Sequence, residues 1–301
     1  MEPFDSHDLK KLYIPPPDSH KGQNGKLLVI GGSHLFHAAS LWALTIASRE
    51  VDMVFYSSVP ENNQIVQELK KEFRNGIVVP RSEIDNYAQE AECILIGPGM
   101  VRTESEIKQQ ELGIKEITSL EDEGEQSYYL TKYLLEKYPE KKLVIDAGAL
   151  QMMEPEWLLR LNGNAVLTPH PMEFERVRAK IKDAELKNKI EAESLEQQIA
   201  LFAKEFHCIV LLKGKEDIVC SPDTCVSIAG GNAGMTKGGT GDVLAGLVAA
   251  LACKNELFLA ATAGAYFNKK AGESLFEKVG YNFNASDLAQ EIPVVMKQLQ
   301  S

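Results

Sequence analysis

The segment from Gly230 to Gly246, GGNAGMTKGGTGDVLAG, joins clustered glycines to the start of an apolar run of helical period. Glycine lets backbone N–H groups approach an anion closely, and the N-terminus of a helix adds unpaired N–H groups and the positive end of its dipole. Together these features suit a phosphate group. The sequence therefore predicts an anion hole at four consecutive residues: Gly238, Gly239, Thr240 and Gly241.

Asp242 directly follows this cluster, in the first turn of the predicted helix. We expect the helix dipole to keep its carboxylate ionised, so that it can accept a proton from a hydroxyl group. An anion hole beside a fixed carboxylate suits phosphoryl transfer to an alcohol, since that reaction depends on positioning and electrostatic stabilisation. The alternative is an ordinary first-turn acid that only stabilises the helix. The chain has no Walker A motif, and Gly97-Pro98-Gly99 lacks the third glycine of a dinucleotide fingerprint.

Polar residues also follow other predicted strands. Asp146 follows Leu143–Ile145, and His170 and Glu173 follow Ala165–Leu167. Because the carboxyl ends of parallel strands share one edge of a sheet, we expect these side chains to converge with the anion hole. We predict that His170 contacts a ligand and that Glu173 helps to hold Mg²⁺ through water. An N-terminal helix acid is the alternative for Glu173, and a capping carboxylate is the alternative for Asp146.

Two lysines flank a glycine in Lys213-Gly214-Lys215, directly after the predicted strand Ile209–Leu212. They would meet a nucleotide phosphate or form a solvated turn, and the sequence leaves both open. His34 and His37 have the i, i+3 spacing of one helix face. No third ligand accompanies them, so we predict no metal site there.

Short apolar segments alternate with segments of helical period, which predicts an α/β fold with a mostly parallel central sheet, helices on both faces and a small edge hairpin. The predicted strands are Leu27–Ile30, Met53–Tyr56, Ile94–Ile96, Leu143–Ile145, Ala165–Leu167 and Ile209–Leu212, with Ile218–Cys220 and Cys225–Ile228 as the hairpin. The predicted helices are Ala38–Arg49, Gln64–Arg74, Gln126–Tyr138, Ser194–Phe206, Gly241–Leu251, Glu256–Lys270 and Ser286–Gln298. We interpret the polar stretch Thr103–Glu125 as a solvated surface insertion.

Charge and cysteine usage restrict the possible partners. With 32 basic and 43 acidic residues the formal net charge is −11, and no basic patch is visible in the sequence, which argues against nucleic acid and anionic membranes as partners. The five cysteines are scattered, and we interpret all of them as reduced thiols, with Cys220 and Cys225 as plain hairpin residues. Met1–Tyr13 has no signal-peptide pattern and the longest apolar run is too short to span a bilayer. We therefore predict a cytoplasmic protein.

The glycine cluster with Asp242, preceded by Gly231-Asn232-Ala233-Gly234-Met235, closely resembles the signature of ADP/ATP-dependent NAD(P)H-hydrate dehydratases, which belong to the ribokinase-like superfamily. The resemblance implies a single ribokinase-like domain over residues 1–301, with residues 1–20 as a leader segment and no N-terminal epimerase domain. Supporting matches extend through nearly the whole chain: Lys21-Gly22, Gly25-Lys26, Gly31-Gly32-Ser33, Ile96-Gly97-Pro98-Gly99, Asp146-Ala147-Gly148-Ala149-Leu150, Thr168-Pro169-His170-Pro171 and Leu212-Lys213-Gly214.

Members of this family restore NADH and NADPH from their hydrated forms and use a phosphoryl group of ADP or ATP to activate the ring hydroxyl. The resemblance implies that Asp242 is the base for that hydroxyl and that Glu173 helps to organise Mg²⁺ and phosphate. It implies substrate contacts at Ala39, Val101 and His170. The adenine nucleotide site would be lined by Lys213, Gly214, Lys215, Glu216, Asp217 and Gly241. It also leads us to expect a homo-oligomer.

This sequence departs from the family pattern at several positions. His34–Ala39 is not glycine-rich, Val101 and Met172 stand where glycine is usual, and Lys237 replaces a small residue and would add a cation beside the anion hole. Two alternatives stay open: a ribokinase-like kinase that phosphorylates an alcohol such as a thiazole or vitamin precursor, and a non-catalytic nucleotide-binding regulator. The residues do not discriminate ADP from ATP, or hydrated NADH from hydrated NADPH.

Overall fold

The computed structural model describes residues 1–108 and 110–300, and a ten-stranded sheet forms its centre. In chain order the strands are β1 (Glu2–Pro3), β2 (Lys26–Ile30), β3 (Met53–Ser57), β4 (Ile77–Val78), β5 (Cys93–Ile96), β6 (Lys142–Ile145), β7 (Ala165–Leu167), β8 (Ile209–Leu212), β9 (Asp217–Cys220) and β10 (Cys225–Ile228). Their spatial order is β1-β10-β9-β8-β7-β6-β5-β2-β3-β4. The strands from β8 to β4 in this order run parallel, whereas β9 is antiparallel to both of its neighbours.

Helices cover both faces of the sheet. They are α1 (Ala38–Ala47), α2 (Pro60–Leu69), α3 (Ile84–Glu90), α4 (Ile114–Thr118), α5 (Glu123–Lys137), α6 (Ala147–Met152), α7 (Pro171–Ala179), α8 (Ala184–Glu191), α9 (Leu195–Glu205), α10 (Thr240–Lys254), α11 (Leu257–Val279) and α12 (Ala285–Gln300). One apolar core lies under α1, α10, α11 and α12, and a second lies under α5, α6, α7 and α9. The central strands are buried on both faces, which explains why their sequences are continuously apolar.

The helix that follows the glycine cluster is buried on nearly every side. In α10 the residues from Val243 to Cys253 are all buried, and the helix packs on α1, α11 and the strands β5 and β6. A helix that is apolar all round belongs in a protein interior. Gly246 permits the close approach to α1, because a Cβ atom there would lie 2.7 Å from the backbone of Ala43. The N-terminus of α10 is thereby fixed at the carboxyl edge of the sheet.

The order of the parallel strands reverses between β2 and β5, since the chain runs from β2 outward to β3 and then returns to β5 on the other side. Open α/β sheets bind ligands outside the carboxyl ends of the strands near such a reversal. The loops at this edge are tied to one another. The N–H of Gly32 donates to the carbonyl of Pro98 at 2.7 Å, and the N–H of Lys213 donates to the carbonyl of Pro169 at 2.8 Å.

The predicted fold class is confirmed, and the eight predicted strands all form within one residue of their expected ends. The helix predicted at Gln64–Arg74 is misplaced, because α2 begins earlier, at Pro60, whose fixed φ suits a first helical position. The sequence pattern does not predict the two-residue strands β1 and β4 or five of the helices: α3, α4, α6, α7 and α8.

In the polar stretch Thr103–Glu125, where residue 109 lies outside the described residues, the described part is more ordered than a solvated insertion. It contains α4, whose Ile117 is buried, and the first residues of α5. Asp122 caps α5 by accepting hydrogen bonds from the N–H groups of Gly124 and Glu125 at 2.7 and 3.0 Å. The N-terminal residues also join the fold, since Glu2 and Pro3 pair with β10 at the sheet edge.

Cys220 and Cys225 form a disulfide bond, so the prediction of reduced thiols is wrong for this pair. The antiparallel register places the two residues directly opposite each other on β9 and β10, with their Cα atoms 4.1 Å apart. Such closely opposed positions occur in antiparallel ladders but cannot be recognised from spacing alone. Cys93, Cys208 and Cys253 are buried free thiols. Within the described residues, no helix has both the length and the apolar character to cross a membrane.

Candidate active site

Three of the four residues predicted as an anion hole, Gly238, Gly239 and Gly241, form an open backbone surface at the N-terminus of α10. The prediction is wrong for the fourth, because the N–H of Thr240 donates to the carbonyl of Lys237 at 3.4 Å. Gly239 is the N-cap residue with φ of +95°, a conformation that favours glycine, and a Cβ atom there would lie 2.3 Å from the ring of Trp42. At Gly238, by contrast, no atom lies within 4 Å of an added Cβ. Across residues 1–108 and 110–300, no protein acceptor pairs with the N–H groups of Gly238, Gly239 or Gly241. These amides are free to donate to an anion.

Two side chains of the glycine segment serve the fold rather than the open surface. The buried Thr240 hydroxyl lies 2.6 Å from the carbonyl of Met235 and 2.9 Å from that of Lys237, which fixes the loop. Lys237 donates to the carbonyls of Tyr281 and Phe283. The prediction that Lys237 adds a cation beside the anion hole is wrong, because these carbonyls between α11 and α12 bind its ammonium group.

Asp242 lies in the first turn of α10 with a half-buried side chain. Burial, and then the neighbouring carboxylate of Asp146, raise the pKa of Asp242 to about 7, although Lys213 and a hydrogen bond from the residue's own backbone N–H act in the opposite direction. The expectation that the helix dipole keeps this carboxylate ionised is therefore wrong, because a group with a pKa of about 7 is partly protonated at neutral pH. A carboxylate with a pKa near neutrality is suited to act as a general base.

Lys213 connects the anion hole to the ends of β6 and β7. Its Nζ lies 2.9 Å from Asp146 Oδ1 and 3.8 Å from Glu173 Oε2, and it would lie 3.4 Å from a Cβ on Gly241. Burial lowers the pKa of Lys213, but the surrounding carboxylates outweigh this effect and raise it overall. The lysine therefore stays cationic beside Gly241, as a group that faces transferred phosphate must.

Asp146 is almost completely buried at the end of β6. Its Oδ1 atom accepts hydrogen bonds from Thr168 Oγ1 at 2.8 Å and from Lys213 Nζ at 2.9 Å. The residue occupies the N-cap position of α6, but its side chain makes no capping bond, so the alternative of a capping carboxylate is wrong. Asp146 instead holds Lys213 in place.

His170 and Glu173 form a capping box at the start of α7. The Glu173 N–H donates to His170 Nδ1 at 3.3 Å, and the His170 N–H donates to Glu173 Oε2 at 2.9 Å. Glu173 is buried and also accepts a hydrogen bond from Gln151, whereas the His170 side chain is 49% exposed. Glu173 thus acts as an acid at the N-terminus of a helix, which was the alternative interpretation of this residue. The side chain of His170 remains half exposed at the start of α7.

The turn from Lys213 to Asp217 is bound by a lysine from a distant helix, which the sequence pattern does not predict as a site residue. Lys269 Nζ lies 3.1 Å from the carboxylate of Asp217 and donates to the carbonyls of Gly214 and Lys215 at 2.8 and 3.0 Å. Asp217 and Lys269 are both buried, and Asp217 also accepts a bond from the Gly214 N–H. Lys215 and Glu216 point outward and are exposed. No local pattern around Lys269, inside a helix, marks this contact.

The predicted substrate residues Ala39 and Val101 lie on the β2 and β5 side of the edge. A Cβ atom on Gly99 would lie 2.9 Å from Ala39 Cβ, so the first turn of α1 touches the Gly97-Pro98-Gly99 turn. Val101 is half-buried just after that turn. Leu35 and Phe36, in the loop that departs from the family pattern, are exposed apolar side chains.

His34 and His37 bind separate partners, His34 Nδ1 with Glu123 Oε2 at 2.6 Å and His37 with Asn62. Arg81, which the sequence pattern does not predict as a site residue, is buried behind the loop that follows β2. Its guanidinium donates to the carbonyls of Gly31 and Gly32 at 3.0 and 3.2 Å, and burial lowers its pKa to about 10.

Mg²⁺ usually takes one or two carboxylates together with phosphate oxygens. Asp146 and Glu173 supply buried carboxylates beside the open amides of α10, so the oxygen donors fit a nucleotide-bound Mg²⁺. No group of three or more His, Cys, Asp or Glu side chains in the described part of the chain could by itself hold a metal ion. A cation here would thus need the phosphates as partners.

The sheet and the glycine-capped helix define this chain as a ribokinase-like α/β protein. A ribokinase-like superfamily protein from Enterococcus faecalis has the same fold, with a TM-score of 0.77 at 23% identity, covering 100% of this chain and 97% of that chain. The family model described as NAD(P)H-hydrate dehydratase matches residues 27–294. The chain belongs to that family, and the family predicted from the motifs is confirmed.

Relatives cover this chain almost completely. The ADP-dependent (S)-NAD(P)H-hydrate dehydratase of Nitrosopumilus maritimus is 36% identical over 293 residues, with 96% of this chain and 95% of that protein covered. The bifunctional NAD(P)H-hydrate repair enzyme of Methanocaldococcus jannaschii is 33% identical, with 97% of this chain but 52% of that enzyme covered. The chain thus spans about half the length of this bifunctional relative. The Bacillus subtilis ADP/ATP-dependent NAD(P)H-hydrate dehydratase, crystallised with ATP/Mg²⁺, gives a TM-score of 0.74 at 20% identity over 99% of this chain and 98% of that chain.

Proposed function

We propose that this protein dehydrates hydrated NADH or NADPH back to NADH or NADPH and converts ADP or ATP to AMP or ADP plus phosphate. The observation that carries the proposal is Asp242, whose pKa is raised to about 7, placed next to unpaired backbone amides and the ammonium group of Lys213. Membership of the NAD(P)H-hydrate dehydratase family supports the same reaction. We propose ADP as the preferred nucleotide, because the Nitrosopumilus relative is named ADP-dependent.

The first step transfers the terminal phosphoryl group to the hydroxyl of the hydrated nicotinamide ring. Asp242 takes the hydroxyl proton while the new O–P bond forms and the bond to the nucleotide leaving oxygen breaks. The amides of Gly238, Gly239 and Gly241 donate to the transferred group and Lys213 neutralises its developing charge. In the second step the ring C–O bond breaks, phosphate leaves, and loss of a proton from the adjacent ring carbon restores the double bond.

The two substrates would approach Asp242 from opposite sides. The nucleotide would lie over the turn Lys213–Asp217, with main-chain groups of that turn held by Lys269. The hydrated ring would lie over Ala39 and Val101, with the exposed edge of His170 beside it. Mg²⁺ bound to the nucleotide would neutralise phosphate charge, with Glu173 contributing through water. Since Glu173 is already in a capping box, an indirect contact suits its geometry.

A direct assay tests the proposed function. Purified protein is given hydrated NADH or hydrated NADPH with ADP or with ATP, and the nicotinamide absorbance and released phosphate are followed together. We expect absorbance to return with one phosphate released per nicotinamide ring and no return without nucleotide. A kinase would consume nucleotide on another alcohol and restore no absorbance. A non-catalytic regulator would bind nucleotide and release no phosphate, and either result would overturn the proposal.

Two further expectations belong to the same proposal. A homo-oligomer and a cytoplasmic location, the compartment where these coenzymes are used, stay predictions. Light scattering of the purified protein tests the first, and cell fractionation tests the second. The Cys220–Cys225 disulfide makes the second test informative, because disulfides are uncommon in reducing compartments.

A further inference from the structure

A cavity of about 610 Å³ lies beside the candidate active site, on the face of the sheet covered by α5, α6 and α7. Its walls include Arg102, Tyr128, Gln151, Glu154, Arg176 and Lys180. This volume falls within the range of small-molecule pockets and is too large for a single inorganic ion. None of the residues predicted to bind substrate or nucleotide lines it.

The cavity is connected to the site through Gln151. The side-chain amide nitrogen of Gln151 donates to Glu173 Oε1 at 3.1 Å, and Glu173 belongs to the carboxylate group around Lys213. Arg102 also follows directly after Val101, a predicted substrate contact. A long substrate that starts at Asp242 and passes Val101 would therefore continue into this cavity.

Positive charge is concentrated in this cavity, although the net charge of the chain is −11. Four cations line the cavity: Arg102, Arg176, Lys180 and Lys182. Two of them are paired with acids, Arg102 with Glu104 at 2.9 Å and Lys182 with Glu154 at 2.5 Å. Lys180 donates to the carbonyls of Gln151 and Met153, and Glu154 and Glu104 oppose the lowering of its pKa by burial. Four cations thus face two acids, Glu104 and Glu154, in the cavity wall. The cavity therefore keeps an excess of positive charge.

Two guanidinium groups meet at a neutral atom. Arg102 and Arg176 both donate to Gln151 Oε1, at 3.0 and 2.8 Å. Glu104 offsets the charge of Arg102, but a neutral amide oxygen cannot offset that of Arg176. A phosphate carries both the negative charge and the several acceptor oxygens that guanidinium groups bind best. The two guanidinium groups are therefore suited to bind an oxyanion such as phosphate, which would fill only part of the cavity.

We propose that this cavity binds a phosphate group on the adenosine side of the pyridine dinucleotide, with Arg176 and Arg102 as its ligands. The proposal rests on the proposed function for the identity of the dinucleotide. Two sources of the phosphate fit: the pyrophosphate, which NADH and NADPH share, and the 2′-phosphate, which only NADPH carries. Free phosphate released by the reaction is the competing source that the experiment must distinguish.

The test measures binding of NADH, NADPH and inorganic phosphate by calorimetry, without adenine nucleotide, for the wild type and Arg176→Gln. Arg102→Gln, at a more exposed side chain, is the second variant, and Arg74→Gln, at an exposed arginine outside the cavity, is the matched control. We expect both cavity variants to weaken NADPH binding about tenfold, as loss of a charged hydrogen bond implies, and the control to leave it unchanged. A loss confined to NADPH assigns the 2′-phosphate, and an equal loss for NADH assigns the pyrophosphate.

Three outcomes would overturn the proposal: dinucleotide affinity equal in wild type and both variants, no measurable NADPH binding to the wild type, or a loss seen only with inorganic phosphate. Melting curves of each variant show whether a loss comes from unfolding. Turnover assays separate this proposal from the proposed function. Absent turnover with Arg176-dependent NADPH binding would reject the reaction and keep the pocket, whereas normal turnover with Arg176-independent binding would reject the pocket alone.

Discussion

The pKa of the Asp242 carboxylate is set by competing effects. Burial and the nearby Asp146 raise its pKa to about 7, while Lys213 and the residue's own backbone N–H limit the rise. The same lysine also contacts Asp146 and Glu173, so that three acids share one cation. Removing Asp146 or Lys213 should therefore change the proton affinity of Asp242, because both act on its carboxylate.

Asp242→Asn should lower turnover of hydrated NADPH by about 100-fold or more, the scale of a lost general base. The amide cannot take the hydroxyl proton. The affinity for ADP, measured by calorimetry, should persist because the backbone N–H groups of the anion hole are unchanged. Full turnover in the variant would exclude Asp242 as the base, and loss of ADP binding would mean that the carboxylate helps to build the nucleotide site.

The raised pKa of Asp242 also predicts two pH dependences. The wild-type kcat/KM should fall as pH decreases through about 7, because the base becomes protonated. The native state binds more protons than the unfolded chain between the usual pKa of 3.8 and about 7, so ionising Asp242 costs stability as pH rises through that window. The Tm of Asp242→Asn minus that of the wild type should therefore increase across the window and stay constant above it. A difference independent of pH would contradict the raised pKa.

At the scale of elements, α11 joins two segments of the nucleotide side. Its Lys269 holds the turn after β8, and its Glu273 accepts a hydrogen bond from the N–H of Gly231 at 3.1 Å, at the start of the glycine cluster. One rigid helix therefore sets the distance between two loops that are adjacent in space but separated in sequence. This explains why a helix outside the site carries residues on which the site depends.

Lys269→Met should lower stability by about 3–5 kcal/mol, because it leaves the buried Asp217 carboxylate unpaired. It should also raise the KM for ADP, since the carbonyls of Gly214 and Lys215 lose their donor. The double variant that also carries Asp217→Asn has no unpaired carboxylate, but it still lacks the lysine that donates to the two carbonyls. We expect it to recover part of the Tm and none of the ADP affinity. Recovery of both would show that Lys269 acts on stability alone.

Gly246→Ala should lower the stability by about 1–3 kcal/mol, because its Cβ would lie 2.7 Å from Ala43 and force α10 away from α1. Gly238→Ala is the matched control, since nothing lies within 4 Å of its added Cβ. Chemical denaturation of the two variants measures the difference. Equal stabilities would mean that the helix pair adjusts to the methyl group at little cost.

Elements buried on all sides were predictable because burial leaves a local signature. The apolar runs of β2, β5 and α10 identify these elements without knowledge of their neighbours. The anion hole before Asp242 was also predictable from local sequence, because backbone access to an anion depends on residues that are adjacent in the chain. The strands β1 and β4 have two residues each and exist only through pairing with a neighbour, so no periodicity marks them.

Contacts between distant segments were not predictable. Lys269, Arg81 and Gln151 act on loops far away in the sequence, and each looks like an ordinary residue of its own helix or turn. The same limit explains why no basic patch was visible: Arg102 lies in a loop and Arg176 in α7, and only the fold brings both to Gln151. The pairing register, which joins Cys220 to Cys225, is likewise a property of the folded sheet.

At the scale of the whole molecule, the acidic surface and the basic cavity act together. A net charge of −11 repels anionic nucleotides in general, whereas the local cations around Arg176 and the open amides of α10 attract phosphate at two separate places. An anion with phosphate at one end only would satisfy one of these places. A dinucleotide aligned between them would satisfy the cavity while its ring reaches Asp242, and the adenine nucleotide would occupy the amides.

The state of the cysteines tests the fold as a whole. Unfolded protein without reductant should titrate three thiols, from Cys93, Cys208 and Cys253, and five after reduction. Reduction should lower stability by no more than about 2 kcal/mol, because the bond closes only a short loop and constrains the unfolded chain little. The ladder between β8 and β9 also persists without the bond, so the nucleotide turn should keep its shape. Five thiols before reduction would show that the hairpin forms without the disulfide, and ADP affinity that falls on reduction would show that the bond, rather than the ladder, holds the turn.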